Sequence, residues 1–162
     1  RVIGIAGSDS KCDIVRGLGF DECINYKTEN VRERLRELCP RGIDVYFDNV
    51  GGWILEAALA NLARGARVVI CGAISRYNDT ESTAGPRNYM NLLVQRATMS
   101  GFLVFDHVKE YRKARRRLAY WNQQGLIHAP ETVVPGAVAD FPSVFARLFH
   151  GDNVGKLILE VT

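Results

Sequence analysis

At 162 residues the chain is long enough to bury one core, and 47% hydrophobic against 24% charged residues excludes wholesale disorder. Lysine plus arginine number 21 against 18 acidic residues, and the resulting +3 demands neither a nucleic-acid nor a membrane partner. No apolar run approaches the ~20 residues needed to span a bilayer, and no signal-peptide pattern opens the chain.

Val2 to Ala6 reads as an apolar strand that starts directly after Arg1, with no initiator Met, so the chain is expected to belong to something longer. A helix follows from about Asp9 to Leu18, with Ser8 as its cap and Gly19 as its end. Cys23 to Asn25 is a short strand. Val31, Leu35 and Leu38 then fall at helical spacing, a buried stripe among Arg and Glu. Pro40-Arg41-Gly42 breaks that helix. Ile43 to Phe47 is a strand, Trp53 to Leu62 a helix, and Ala66 to Cys71 another apolar strand. A polar loop from Ser75 to Gly85 leads to a short helix near Tyr89 to Gln95 and a strand from about Met99 to Val104. Strands apolar on both faces, alternating with helices, predict a doubly wound parallel α/β sheet covered on both sides.

After Asp106 the rhythm changes. Val108 to Gln124 forms a longer basic helix, followed by a strand at Thr132 to Val134, a helix near Phe141 to Phe149 and a strand from Lys156 to Val161. The expected division is a partial dinucleotide-binding domain over 1–107 and an α+β segment over 108–162.

Ser8 and Lys11 at a helix N-terminus suit a phosphate, because free N–H groups and the helix dipole attract anions. A capped helix start with a surface lysine is the plainer alternative. The fingerprint G-x-G-x-x-G does not occur. Asp48-Asn49-Val50-Gly51-Gly52 ends one strand and Cys71-Gly72-Ala73-Ile74-Ser75 the next, and open α/β sheets bind ligands beyond such strand ends. Each is also explained as a simple turn; two together favour a site. No metal site is expected: His107, His128 and His150 are scattered, and Cys12, Cys23, Cys39 and Cys71 lack ligand spacing. The cysteines read as thiols of a reducing, cytoplasmic compartment.

Ala6 to Lys11, Gly19-Phe20-Asp21, Asn25-Tyr26-Lys27, Asp44 to Gly52, Cys71 to Asn78 and Gly151-Asp152-Asn153-x-Gly155-Lys156 occur in that order. The series resembles the zinc-free medium-chain reductases of the prostaglandin, alkenal and curcumin reductase branch, and it runs through nearly the whole chain. The resemblance implies an NADP-dependent enzyme that reduces the C=C bond of small enones and enals, as a homodimer in its full-length form. It implies that Lys11 binds the 2′-phosphate at the seat that includes Ser8, with Tyr26 beside the adenine end and Asn49 along the cofactor. Cys71, Gly72, Ala73, Ile74, Ser75 and Tyr77 would wrap the pyrophosphate and nicotinamide side. Val104 and Phe105 would flank the nicotinamide, with Asp106 next in line, and Asn153 would bond it from the tail. Tyr77 is the candidate catalytic group, set against a loop tyrosine that merely packs on the cofactor.

By the same resemblance, the first strand and the glycine-rich turn of the sheet precede this sequence. In the strand order 3-2-1-4-5-6 that strand is central, so the strands at Val2–Ala6 and Ile43–Phe47 are expected to lack their shared neighbour. A competing class of function is non-catalytic binding of nucleic acid or protein through the basic helix 109–117, where Lys109, Arg112, Lys113, Arg115, Arg116 and Arg117 cluster. One such helix on a chain of +3 is more often a solvated face.

Overall fold

The computed structural model of the chain describes residues 1–80, 84–151 and 153–161. Strand β1 (Ile3–Ala6) leads to α1 (Asp9–Gly17), and β2 (Glu22–Asn25) to α2 (Val31–Leu38). Next come β3 (Ile43–Asp48), α3 (Gly52–Leu59), β4 (Leu62–Ile70), α4 (Met90–Gln95) and β5 (Thr98–Gly101). The C-terminal part holds α5 (Tyr111–Gln123), β6 (Glu131–Gly136), α6 (Phe141–His150) and β7 (Lys156–Val161).

Local chemistry accounts for the helix starts. The Ser8 hydroxyl accepts from the Lys11 N–H at 3.3 Å and opens α1, with Asp9 in its first turn and Arg16 in its last. Asn30 opens α2 in the same way through the Glu33 N–H. Val31 and Leu35 are buried on that helix and Leu38 half-buried, as the stripe predicts.

Every strand pair is parallel, and the pairing orders are β1-β2, β3-β4-β5 and β6-β7. Among the described residues, strands β1 and β3 therefore each pair on one side only. That is the division expected of a doubly wound sheet without a strand between them.

Two apolar clusters hold the strands and helices together. Leu55 and Leu59 of α3 pack on Leu62, Ala66 and Val68 of β4. Ile24, Val31, Leu35 and Ala57 form the second cluster, against which Ile3, Ile5 and Ile43 pack, so β1, β2 and β3 share one core layer with α2 and α3. Full burial of a side chain such as Ile24 or Leu59 contributes roughly 1.5–3 kcal/mol.

Several boundaries depart from the sequence reading. Helix α3 stops at Leu59, and Leu62 already pairs with Ile43 in β4. The Asn61 amide donates to the carbonyls of Ala57 and Arg32, which ends the helix and turns the chain. Gly65, at φ +76°, then lies within the stretch where the β3–β4 register shifts. Strand β5 ends at Gly101, not Val104, because its last partner on β4 is Ile70. Val104 and Phe105 belong to a 3-10 turn, Val104–Glu110, and α5 begins only at Tyr111. His107 breaks the helical geometry there, and its ring stacks on Phe102 at 5.1 Å.

One face of the larger sheet is bare. Val45 and Phe47 of β3 are 53% and 55% exposed, although the apolar pattern predicts cover on both sides. No residue of α5 is buried, and α6 buries only Val144. Among the described residues nothing packs over these surfaces deeply enough to dry them.

Candidate functional site

The first turn of α1 forms one end of the site. Ser8, the cap, also shares a 3.0 Å hydroxyl contact with Ser10, and Lys11 stands one turn into the helix. The Tyr26 hydroxyl lies directly over Gly7: a Cβ there would come within 2.8 Å of it. Any larger residue at Gly7 would have to push the Tyr26 ring aside. Buried Asn25 fixes the neighbouring loop by donating to Asp9 at 2.7 Å and accepting from the Lys27 N–H at 3.1 Å.

Two loops form the other end, and they are stitched into one wall. The Asp48 carbonyl accepts from the N–H groups of Cys71 and Gly72 at 2.8 and 3.1 Å. The Asn49 carbonyl accepts from Ile74 at 3.0 Å, and that of Val50 from Ser75 N–H at 3.1 Å and from the Ser75 hydroxyl at 2.5 Å. The glycine-bearing strand ends, each explicable alone as a turn, are therefore a single structure.

Tyr77 caps that wall. Its hydroxyl accepts from the Ala73 N–H at 3.3 Å, and a Cβ on Gly72 would lie 3.1 Å from it. Because the oxygen accepts here, its proton stays available for another acceptor. The ring is 64% exposed, open to a ligand. Cys71, Ile74 and Ser75 are also exposed, as is Asn49, while Gly72 and Ala73 are half-buried.

Tyr26 meets Trp53 edge-on at 6.2 Å, and Trp53 follows the glycine pair of the first loop. That contact joins the two ends. The Phe102 N–H bonds the Ile70 carbonyl, so the segment carrying Val104 and Phe105 leaves β5 beside the start of the Cys71 loop. Phe105 itself is 71% exposed, and the Val104 carbonyl accepts from the Tyr111 hydroxyl.

The end of α6 meets the first turn of α1. Lys11 Nζ donates to the Gly151 carbonyl at 2.5 Å. The Asn153 amide donates to the Gly155 carbonyl at 2.7 Å.

Sequence reading passed over Asp48, Tyr46 and Trp53 as site residues. Asp48 is 1% exposed, and its carboxylate accepts from the N–H groups of Val50 and Gly51 and from the Tyr46 hydroxyl. Burial, and then the neighbouring Asp48 carboxylate, push the Tyr46 hydroxyl well above the ordinary tyrosine range, so it stays a donor. The signal for Asp48 was an acidic residue closing an apolar strand, with glycine three residues on.

Among the described residues no group of three or more His, Cys, Asp or Glu side chains could hold a metal ion. No described helix is long and apolar enough to cross a membrane. Lys109 of the preceding 3-10 turn and Arg112, Lys113, Arg115 and Arg116 of α5 are exposed, and Arg117 lies 4.5 Å over the Trp121 ring.

Residues 1–120 match the family described as Zinc-binding dehydrogenase. The chain belongs to that family. Among curated relatives, the chain is 39% identical over 163 residues to a 2-alkenal reductase (NADP(+)-dependent) of Nicotiana tabacum. That match covers 99% of the chain and 47% of the relative. It is 34% identical to the NADPH-dependent curcumin reductase of Escherichia coli over 99% of the chain and 48% of the relative. The crystal structure of CurA from Vibrio vulnificus in complex with NADPH superposes with a TM-score of 0.91 and 39% identity, over 100% of this chain and 50% of that one. The chain thus spans about half the length of the relatives it matches, and its parallel α/β fold is the one they share.

Proposed function

We propose that the protein carrying this chain is an NADPH-dependent oxidoreductase that reduces the C=C bond of α,β-unsaturated ketones and aldehydes. The observation that carries the reading is the likeness to the NADPH complex of CurA over the entire chain, at 39% identity. Relatives that act as alkenal and curcumin reductases point to the same substrate class.

The residues suit the cofactor. Ser8, Ser10 and the first N–H groups of α1 would take a phosphate, Lys11 would supply its counter-charge, and Tyr26 and Trp53 would give the adenine end an aromatic edge. Asn153 would bond the cofactor from the tail, as the resemblance implies. The stitched wall of Asn49 and Cys71 to Ser75, with glycine at position 72, would let a flat ring lie against backbone. Val104 and Phe105 would close the far side.

Bound NADPH would supply the hydride. The hydride would form a new C–H bond at the β-carbon of the enone, and the C=C electron pair would shift toward the carbonyl oxygen. Tyr77 would hold that oxygen with its free hydroxyl proton, stabilising the charge as it develops. The α-carbon would then take a proton from solvent, giving the saturated ketone. A homodimer is the assembly that goes with this reading.

Steady-state rates with a simple enone test the proposal. The expected result is consumption of NADPH with a marked preference over NADH. Equal rates with both cofactors, or none with either, would remove it.

A further inference from the structure

The Asp48 carboxylate is buried, and yet both loops of the wall depend on it. Its carboxylate is 1% exposed, so it needs several donors to remain buried as an anion. Val50 N–H lies 3.0 Å from Oδ1, Gly51 N–H 3.0 Å from Oδ1 and 3.2 Å from Oδ2, and the Tyr46 hydroxyl 3.2 Å from Oδ1. Bonds to an ionised acceptor are roughly twice as strong as neutral ones. They hold Gly51 at φ +71° and ψ −154°, a backbone state that only glycine adopts without strain.

The consequence passes along the chain. With Val50 and Gly51 turned in toward Asp48, the carbonyls of Asn49 and Val50 face the second loop and accept from Ile74 and Ser75. Asp48's own carbonyl accepts from Cys71 and Gly72. From there the Ala73 N–H reaches the Tyr77 hydroxyl. One buried carboxylate thus sets the shape of a loop whose outer side fixes a second loop, and the second loop aims Tyr77.

We infer that Asp48 is a positioning residue for hydride transfer, holding the wall formed by residues 49–51 and 71–77 in the one geometry that aligns the nicotinamide and Tyr77. The inference rests on the reductase reading above for its chemistry, but the coupling of the two loops through Asp48 is independent of it. Tyr46 supports the carboxylate from below. An ordinary capping role would stabilise the start of α3 and leave the second loop and the reacting groups untouched.

Asp48→Asn in the protein that carries this chain separates these cases. The amide keeps one acceptor oxygen but turns an NH2 toward the N–H groups it should accept. Amide hydrogen exchange is expected to speed up at Val50 and Gly51 and, together with them, at Gly72, Ile74 and Ser75. Amides of α1 and β2 should keep their wild-type rates. With an enone as substrate, kcat should fall roughly ten- to a hundredfold, because small misplacement of reacting groups costs that much. The KM for NADPH should stay within about threefold, since the phosphate end is intact. The isotope effect on kcat with ring-deuterated NADPH should rise as hydride transfer becomes limiting. Tyr46→Phe, which removes one donor, should move all these quantities the same way by less.

Unchanged exchange at Ile74 and Ser75 in Asp48→Asn would overturn the inference, whatever the activity. So would a fall in kcat matched by the loss of folded protein with no change in isotope effect. If the exchange pattern appears but the wild-type protein does not oxidise NADPH, the reductase reading fails while the coupling of the loops stands.

Discussion

The Lys11 ammonium donates to the carbonyl of Gly151, tying the first turn of α1 to a residue 140 positions further along. The charge most suited to an anion is thus held beside the helix N-terminus, and the tail lies over the same spot. A phosphate arriving there would meet Lys11, the Ser8 and Ser10 hydroxyls and the dipole of α1 together.

Lys11→Ala is therefore expected to raise the KM for NADPH and leave that for NADH nearly unchanged. Loss of a charge-assisted hydrogen bond costs ~1.5–3 kcal/mol, roughly ten- to a hundredfold. Steady-state kinetics with each cofactor read the difference directly. A parallel rise for both would mean that Lys11 serves the tail and not the phosphate.

Stability should fall on the alkaline side. Burial, then the hydrogen bond with Cys12, hold the Cys23 thiol up at about 12, against ~8.5 for a free thiol. The folded state keeps a proton that the unfolded chain gives up, so the contribution is complete below the free-thiol value and is lost as pH rises towards 12. Tyr46, raised in the same sense, adds to the loss above pH ~10. Urea unfolding at neutral and alkaline pH checks this. Cys23→Ala should flatten the fall; an unaltered slope would show that another group controls it.

Thiol labelling should distinguish the cysteines. Cys71 is exposed at the mouth of the wall, Cys39 is half-buried, and Cys12 and Cys23 are each 2% exposed. One thiol should react quickly with an aromatic disulfide reagent, and Cys12 and Cys23 only on unfolding. Under the proposed function, NADPH should slow the quick one. Rapid labelling of Cys12 or Cys23 in folded protein would contradict the packing of α1 on β2.

Gly155→Ala should disrupt the β6–β7 pair. Gly155 has φ +67°, and a Cβ there would sit 1.9 Å from the Pro130 carbonyl oxygen, which also accepts from the Lys156 N–H. Backbone cannot yield as a side chain does, so a cost of ~3 kcal/mol or more is expected. Thermal melting of the variant measures it. A loss under ~1 kcal/mol would mean the turn can rebuild.

The periodic parts of the chain were legible in its sequence. Val31 and Leu35 lie buried on α2 as their spacing implied, and Ser8 caps α1. The one-sided pairing of β1 and β3 followed from the family resemblance together with its strand order. Boundaries set by a distant partner were not legible. Leu62 looks like a helix residue until Ile43 pairs with it, and Val104 looks like strand until β4 runs out at Ile70. The site was half legible. The glycine-bearing loops announced themselves, but the bonds that join them are backbone to backbone and leave no trace in residue type. Asp48 was read as part of a motif, since nothing in a sequence tells a buried carboxylate with four contacts from a solvated one. The bond from Lys11 to Gly151 was not legible either, because it depends on how the C-terminal segment docks.

Deuterium tracing tests the central claim most directly. The protein that carries this chain would be given NADPH deuterated on the hydride-donating face of the nicotinamide, together with an α,β-unsaturated ketone, and the product examined by NMR. The account predicts a saturated ketone with deuterium on the β-carbon and hydrogen from solvent on the α-carbon. Deuterium on the carbinol carbon of an allylic alcohol, or no transfer of label at all, would contradict it.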